Sequence, residues 1–382
     1  MFPGKVKRFI KKSFEKPLNF VGYDLKLIDP KPLRTAVIYE IKGRYNKGKL
    51  SLVEIKDIAR KKNDKNLLCA LKNIQKRKNI TWDQLKILSS IMPYIDDNCL
   101  YEHILTTYDS KLETLNKNHS EKSSFVGIGG GADVLHSSRK ITLKDHILFE
   151  KIYKKDSIAL ENIKWFTKNI KDHLNHELIR VPEIYYIKEG NRLAAVYYEY
   201  LQLEPVTQNH AIDRVVDLSM YFYNLQLPWV AEHDKLPSEY YGSRPHSIVS
   251  WCAREYKEGG MQDVSNFILS LEKKVSSFQR QFSHGDLYKG NLGKNNYVVD
   301  WDECGFHPSG YDISRGLSFL CLWDNLNELE LFLKERCIDA IGKSNFEEFL
   351  FSCLYFHFIF YSLNRQGGDN FRFDLFDRLL HW

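Results

Sequence analysis

The chain has 382 residues, 43% hydrophobic and 14% aromatic, enough to bury substantial cores in more than one globular domain. Seven cysteines, odd in number and without a C-x-x-C pair, argue against both a zinc site and a disulfide framework and fit a reducing compartment. No stretch reaches the ~18 uninterrupted apolar residues of a membrane span, and the start, Met1-Phe2-Pro3-Gly4-Lys5, lacks the apolar run of a signal peptide, so a cytoplasmic location is expected.

The net charge of +6 is unevenly placed: residues 1–62 hold 17 Lys+Arg against 6 Asp+Glu, leaving 38 against 43 for the remainder. The first segment is therefore +11 and the rest −5. Over residues 1–16, Phe2, Val6, Phe9, Ile10 and Phe14 recur at near-helical spacing among Lys5, Lys7, Arg8, Lys11 and Lys12. Such a basic amphipathic helix lies on an anionic membrane surface or packs on its own protein, which makes a peripheral position at the inner face of the membrane an expectation to test. No nucleic-acid-binding motif accompanies the charge, which argues against nucleic acid as a partner.

Residues 35–41 read as a strand and residues 42–49, with Gly43 and Gly48, as a turn. Leu67, Leu68, Leu71 and Ile74 mark a helix. Thr81 with Gln84 forms a capping box ahead of Leu85, Leu88 and Ile91, in a helix that Pro93 is expected to stop. A third helix is expected over residues 97–116. Residues 1–122 thus read as a basic, mostly helical N-terminal extension.

Residues 127–134 have the pattern G-x-G-x-x-A-x-V, with Gly127, Gly129, Gly130 and Gly131. Glycines let backbone N–H groups approach phosphate oxygens that a side chain would keep away, although any tight hairpin also favours them. Residues 147–153 form a strand that contains Lys151, with Lys154 and Lys155 placed past its end. Asp156-Ser157 caps a helix carrying Glu161 one turn in and Trp165 and Phe166 on its apolar side. Residues 181–186 and 193–201 complete a sheet that ends at Glu199-Tyr200-Leu201. The pattern is helical from Ala211 onward, with one helix over residues 263–278. Tyr240, Tyr241, His246, Trp251, Arg254 and Tyr256 are candidates for lining an acceptor pocket, on their position in the chain alone.

The densest chemistry follows, in Ser283-His284-Gly285-Asp286-Leu287-Tyr288-Lys289-Gly290-Asn291 and Tyr297-Val298-Val299-Asp300-Trp301-Asp302. Phosphoryl transfer needs an in-line acceptor and neutralised phosphate charge, and a short loop can supply both. Asp286 can orient an acceptor hydroxyl or take its proton. Asn291 offers a carbonyl oxygen and Asp300 a carboxylate to a hard Mg²⁺. Gly290 and residues 293–296 are turn formers and residues 297–299 are β-rich, so Asn291 and Asp300 are expected to face each other across a hairpin. His284 is expected to brace the loop through hydrogen bonds. The apolar run of residues 349–361 is too short to span a bilayer and reads as a buried helix, with His357 a hydrogen-bonded core histidine.

His284-Gly285-Asp286 with Asn291, then Val299-Asp300-Trp301-Asp302 and Tyr311-Asp312-Ile313-Ser314, resembles the aminoglycoside phosphotransferase and choline kinase group of kinase-like enzymes. Tyr288-Lys289-Gly290-Asn291 stands where that group commonly has His-Pro-Gly-Asn, so the contacts of Tyr288 and Lys289 do not carry over. The resemblance implies an α+β, two-lobed protein-kinase-like fold, with a β-rich N-lobe over residues 123–201 and a mainly helical C-lobe over residues 202–382. It implies ATP and Mg²⁺ as cofactors, Asp286 as catalytic residue, Asn291 and Asp300 as metal ligands, and Asp312 as a structural tie to the loop. By the same resemblance Gly127, Gly129, Gly130 and Gly131 cover the phosphates, Lys151 pairs with them, and Glu199 and Leu201 meet adenine. Glu161 is the candidate partner of Lys151, its other reading being a Glu that stabilises a first helical turn.

The reaction so implied moves the γ-phosphoryl group of ATP to a hydroxyl of a small molecule, or of a sugar within a glycan. An alternative places the acceptor, a lipid-linked sugar or cell-envelope glycan, at the membrane surface. An inactive nucleotide-binding scaffold is the alternative of another class, against which the joint retention of Lys151, Asp286, Asn291 and Asp300 argues.

Overall fold

The computed structural model describes residues 37–115, 122–128, 133–227, 243–320, 325–364 and 372–382, apart from residues 38, 39, 42, 46, 47 and 77. The basic helix expected over residues 1–16, and Gly129, Gly130 and Gly131, lie outside the described residues. The described residues divide into two compact units, one within residues 37–161 and 182–202 and one within residues 162–181 and 203–382.

The first unit carries helices α1 (Leu52–Lys61), α2 (Lys65–Gln75), α3 (Trp82–Ile95) and α4 (Asn98–Tyr108), then strands β1 (Ser123–Ile128), β2 (Ser137–Thr142), β3 (Ile147–Lys154), β4 (Ile184–Glu189) and β5 (Leu193–Glu199). The strands form one antiparallel sheet in the order β1-β2-β3-β5-β4. The helix starts follow from local chemistry. Ser51 with Glu54 and Thr81 with Gln84 both form complete capping boxes, each satisfying backbone N–H groups that the first turn leaves without partners.

Three expectations fail here for physical reasons. Residues 35–41 are not a strand: Val37, Glu40, Ile41 and residues 43–45 are helical. Val37 and Ile41, four apart, are both fully buried, and Arg44 donates to Glu40 at 2.8 Å, so burial at helical spacing overrides the β-branched composition. Pro93 does not stop α3, which runs to Ile95 and ends at Asp96 in the left-handed region with φ 53°. Sitting in the last turn, Pro93 removes only one hydrogen bond of the helix. The third expected helix closes at Tyr108 rather than near 116.

One face of the sheet, through Ile141, Leu148, Ile152, Leu193, Ala195 and Tyr197, shares a continuous apolar core with α1–α4. Polar ties cross the same region. Arg139 of β2 is fully buried and donates to both oxygens of Glu150 on β3, at 2.7 and 2.8 Å, while its Nη1 lies 2.7 Å from Glu102 of α4. A buried guanidinium needs this degree of pairing, because one without partners costs several kcal/mol of lost hydration. The Leu115 N–H donates to Tyr197 Oη at 2.9 Å. On the opposite face, Tyr153, Ala194 and Val196 pack with Val134 and Leu160.

Helix α5 (Ile158–Asn169) starts where expected, with Leu160 N–H donating to the Ser157 hydroxyl at 3.3 Å. The second unit contains α6 (Gln208–Asn224), α7 (Ser243–Glu258), α8 (Gln262–Val275), the antiparallel pair β6 (Arg280–Ser283) and β7 (Gly305–Pro308), and α9 (Tyr311–Leu320), α10 (Leu326–Ile341), α11 (Lys343–Asn364) and α12 (Phe373–Leu380). Its core is aromatic. Phe166 stacks on Trp301 with centroids 4.3 Å apart, and Phe222 and Phe282 close around the pair. Residues 349–361 of α11 are buried throughout, as expected of an all-apolar helix. Among the described residues no helix is long and apolar enough to cross a membrane.

His357 departs from expectation. It is 1% exposed and neither ring nitrogen has a hydrogen-bond partner among the described residues. Burial, with Arg372 adding to it and Asp374 opposing, pushes its pKa down to about 3, so the ring is neutral.

Candidate active site

The loop between β6 and β7 gathers the candidate catalytic groups, and Gly285, Asp312 and His284 set its shape. Gly285 adopts φ +82°, and a Cβ there would overlap the carbonyl of Glu303. Only glycine therefore fits between His284 and Asp286. Asp312, fully buried on the first turn of α9, accepts the N–H of His284 at 2.7 Å on one oxygen and that of Gly285 at 2.9 Å on the other. Burial pushes its carboxyl up to about 7, while the two N–H donors favour the ionised form.

His284 is the brace the sequence reading assigns it. Its Nδ1 accepts the Asp286 N–H at 3.2 Å, so the hydrogen resides on Nε2, which donates to the Val299 carbonyl at 3.0 Å. Complete burial lowers its pKa and keeps this neutral tautomer. The ring also rests on Trp301, 4.5 Å between centroids. One imidazole thus connects the backbone of Asp286 to the residue preceding Asp300.

Asn291 and Asp300 come together through a narrow hairpin. The Val299 N–H donates to the Asn291 carbonyl at 3.0 Å, Leu292 pairs with Val298, and the Gly293 N–H reaches the Tyr297 carbonyl at 2.9 Å. The turn uses Asn295 and Asn296 at φ 60° and 66°, a left-handed conformation that Asn tolerates. Residues 297–299 make isolated bridges here rather than the expected full strand. Asp300 itself sits at φ 68° and is exposed.

The Asn291 amide nitrogen donates to the Asp286 carbonyl at 2.8 Å, which leaves its side-chain oxygen as the atom able to meet a cation. Asn291 and Asp300 together form an oxygen-only donor set, the chemistry Mg²⁺ prefers. Among the described residues no three His, Cys, Asp or Glu side chains converge as a metal cluster, so remaining ligands would come from phosphate and water, as is usual for Mg²⁺.

Arg315 is a residue the sequence reading missed. Its Nε and Nη2 lie 2.8 and 2.6 Å from Oδ1 of Asp286. The signal was available: Arg315 follows Asp312 by three residues on one helix, so a helix that ties the loop through Asp312 also turns Arg315 toward it.

In the first unit, Lys151 lies on the face of β3 shared with Phe149 and Tyr153, its Nζ 5.5 Å from the Tyr153 ring. Glu161 is exposed in the first turn of α5. Lys154 is the last residue of β3 rather than past its end, and Lys155 donates to the Gly190 carbonyl at 2.9 Å. Gly127 sits in β1 beside a register shift between Phe125 and Gly127. At the end of β5 the Glu199 N–H donates to the Glu183 carbonyl at 2.7 Å and the Tyr200 N–H to the Ile147 carbonyl at 3.0 Å, whereas the Leu201 N–H has no partner among the described residues.

Of the acceptor-pocket candidates, Tyr240, Tyr241 and the side chain of His246 lie outside the described residues. Tyr256 is turned into the helices: its hydroxyl donates to Ser362 at 2.7 Å and its ring stacks on Phe358 at 6.1 Å. Trp251 donates to Glu255 at 2.8 Å on its own helix, and Arg254 lies 4.0 Å from Glu258.

No family model matches the chain, and no curated protein matches it. Solved structures do. The chain is similar to a spectinomycin phosphotransferase in complex with ADP and spectinomycin (15% identity, 68% of this chain and 88% of that one, TM-score 0.39). It is similar to a putative fructosamine-3-kinase from Haemophilus somnus 129PT (15%, 68% and 92%, TM-score 0.42). It is also similar to a choline kinase from Cryptosporidium parvum Iowa II (13%, 71% and 91%, TM-score 0.42).

Proposed function

We propose that the chain is a phosphotransferase that moves the γ-phosphoryl group of ATP to a hydroxyl of a small molecule or of a sugar within a glycan, with Mg²⁺. The observation that carries this reading is a neutral histidine that braces the backbone of the loop bearing Asp286 against the residue before Asp300: His284 Nδ1 accepts the Asp286 N–H and its Nε2 donates to the Val299 carbonyl. A scaffold that only held nucleotide would have no use for a carboxylate on a loop braced in this way.

In this reading Asp286 Oδ2 orients the acceptor hydroxyl and takes its proton as the new O–P bond forms and the bond between the β,γ-bridging oxygen and the γ-phosphorus breaks, releasing ADP. Asn291 and Asp300 would hold Mg²⁺, which would supply charge neutralisation on the phosphate oxygens. Lys151 is assigned to the phosphates with Glu161 as its candidate partner, Gly127 and Gly129–Gly131 to the phosphate cover, and Glu199 and Leu201 to the adenine edge. The Leu201 N–H, without a protein partner among the described residues, supports the last of these.

The charge of +11 over residues 1–62 supports an acceptor presented at an anionic membrane face, such as a lipid-linked sugar. The test is turnover of MgATP with free sugars, amino alcohols and sugar lipids in anionic vesicles. ADP release that depends on one acceptor class, and on Mg²⁺, is the expected result. Nucleotide binding without transfer to any acceptor or to water would favour the scaffold.

A further inference from the structure

The contact between Arg315 and Asp286 has a geometry that a purely structural ion pair does not need. An arginine fork usually meets a carboxylate side-on, one N–H to each oxygen. Here Nε and Nη2 both end on Oδ1, at 2.8 and 2.6 Å. Oδ2 is left with a single long contact among the described residues, 3.4 Å from the Asn291 amide nitrogen. The carboxylate is therefore held by one oxygen and presents the other.

Arg315 is itself held in place. Its guanidinium lies 5.0 Å from the ring of Phe360 on α11 and 5.8 Å from that of Tyr288 in the loop. The next residue, Gly316, lets α9 press against α6 and the loop: a Cβ there would meet Val215 Cγ1 at 2.4 Å and the Leu287 carbonyl oxygen at 2.8 Å. Helix α9 thus grips the loop at two points of opposite chemistry. Asp312 takes the backbone N–H groups of residues 284 and 285, and Arg315 takes the side chain of residue 286.

We propose that Arg315 is a positioning residue of the phosphoryl transfer: by occupying Oδ1 it fixes the rotation of the Asp286 carboxylate so that Oδ2 faces the acceptor hydroxyl. This rests on the phosphotransferase reading above and adds to it the group that aims the catalytic carboxylate. Arg315 acts through Asp286, and its effect belongs to kcat rather than to nucleotide binding.

The experiment is a double-mutant cycle on the full chain, using MgATP turnover to ADP with water and with a free hexose as acceptors. The variants are Arg315→Met, Arg315→Lys, Asp286→Asn and the pair Arg315→Met with Asp286→Asn. Arg315→Met should lower kcat about 10- to 100-fold, the scale of a misplaced reacting group, with nucleotide Kd unchanged. Guanidinium ion added to Arg315→Met should restore part of the loss, and Arg315→Lys should fall between parent and Arg315→Met. In the Asp286→Asn background the same substitution should cost less than about threefold, since residues acting as one unit are not additive.

An equal loss in both backgrounds would overturn the positioning role and leave a packing role, as would parental kcat in Arg315→Met. If Arg315→Met does not fold, Arg315→Lys alone and paired with Asp286→Asn gives the same comparison. A parent that transfers nothing to water, to free sugars, to amino alcohols or to sugar lipids would overturn the phosphotransferase reading itself, and this proposal with it, whereas a parent that turns over with additive variants overturns the proposal alone.

Discussion

The carboxylate of Asp109, just past the end of α4, occupies the space that a side chain at Gly190 would need. It accepts the N–H groups of Arg192 at 2.7 Å and Leu193 at 3.0 Å, and thereby closes the turn between β4 and β5. These backbone donors pull its pKa down against the effect of burial, and Arg192 lies over the Tyr108 ring at 3.8 Å. A helix that arrives before residue 110 is therefore part of what folds a hairpin 80 residues later.

Asp109→Ala should accordingly destabilise the sheet and not merely the helix. Both hydrogen bonds from the hairpin to this charged acceptor are lost, together with one from the Lys111 N–H at 3.1 Å, and the two hairpin N–H groups stay without that partner, a cost of about 2–4 kcal/mol. Gly190→Ala should cost a similar amount through overlap with the same carboxylate. Urea unfolding followed by tryptophan fluorescence measures both, and a parental midpoint in either variant would show that the hairpin stands without α4.

His357 gives a prediction with a defined pH window. Its folded pKa of about 3 lies below the ordinary 6.5, so below pH 6.5 the unfolded chain takes a proton that the folded chain refuses. Stability is lost as pH falls from about 6.5 toward 3, at up to about 1.4 kcal/mol per pH unit. His357→Leu, close in volume, removes both the titration and two buried nitrogens without partners among the described residues. The variant should melt higher than the parent, by a margin that widens as the pH is lowered. A margin independent of pH would mean that the ring is hydrated or paired in solution.

Much of the fold was legible because local signals and burial agreed. The apolar strands around Lys151 and Val196, the Thr81 capping box and the apolar run from Phe349 to Tyr361 all point the same way locally and globally. What was not legible depended on distant partners. Strand β2 reads as polar, Ser-Ser-Arg-Lys, and is buried only because Glu150 and Glu102 receive Arg139. The helix around Val37 and Ile41 has strand-like composition, which packing overrules. In the candidate site, the spacing of Asp286, Asn291 and Asp300 was readable as a pattern and the hairpin joining residues 291 and 299 is observed, whereas Arg315 could be read only once Asp312 was taken to turn its helix toward the loop.

The Asp312 tie predicts that a neutral isostere will not serve. Asp312→Asn keeps the shape but has one acceptor oxygen, so its NH₂ group must point at one of the two N–H donors, of His284 or Gly285. The donor left without a partner costs about 1–3 kcal/mol and loosens the turn before Asp286. With the Asp286 carboxylate displaced, transfer should fall at least about tenfold under the proposed mechanism. Steady-state kcat together with a thermal melt checks this, and an unaltered kcat would show that the loop holds its shape through His284 and Gly285 alone.

Asp286 and Asp300 should separate cleanly, because the proposed chemistry asks different things of them. Asp286→Asn keeps an oxygen for the Arg315 guanidinium and retains the shape of the loop, but can take no proton from an acceptor. Nucleotide affinity should persist while transfer falls by ~10²–10⁴, the range of a positioned general base. Asp300→Asn leaves Asp286 intact and removes the anionic ligand of the cation pair with Asn291. Transfer should again be lost, now together with the Mg²⁺-dependent part of nucleotide affinity, since phosphate charge is no longer neutralised. Calorimetric titration of ATP with and without Mg²⁺, on both variants, distinguishes the two. Mg²⁺-enhanced binding in Asp300→Asn equal to that of the parent would remove Asp300 from the metal site, and parental transfer in Asp286→Asn would place the chemistry outside this loop.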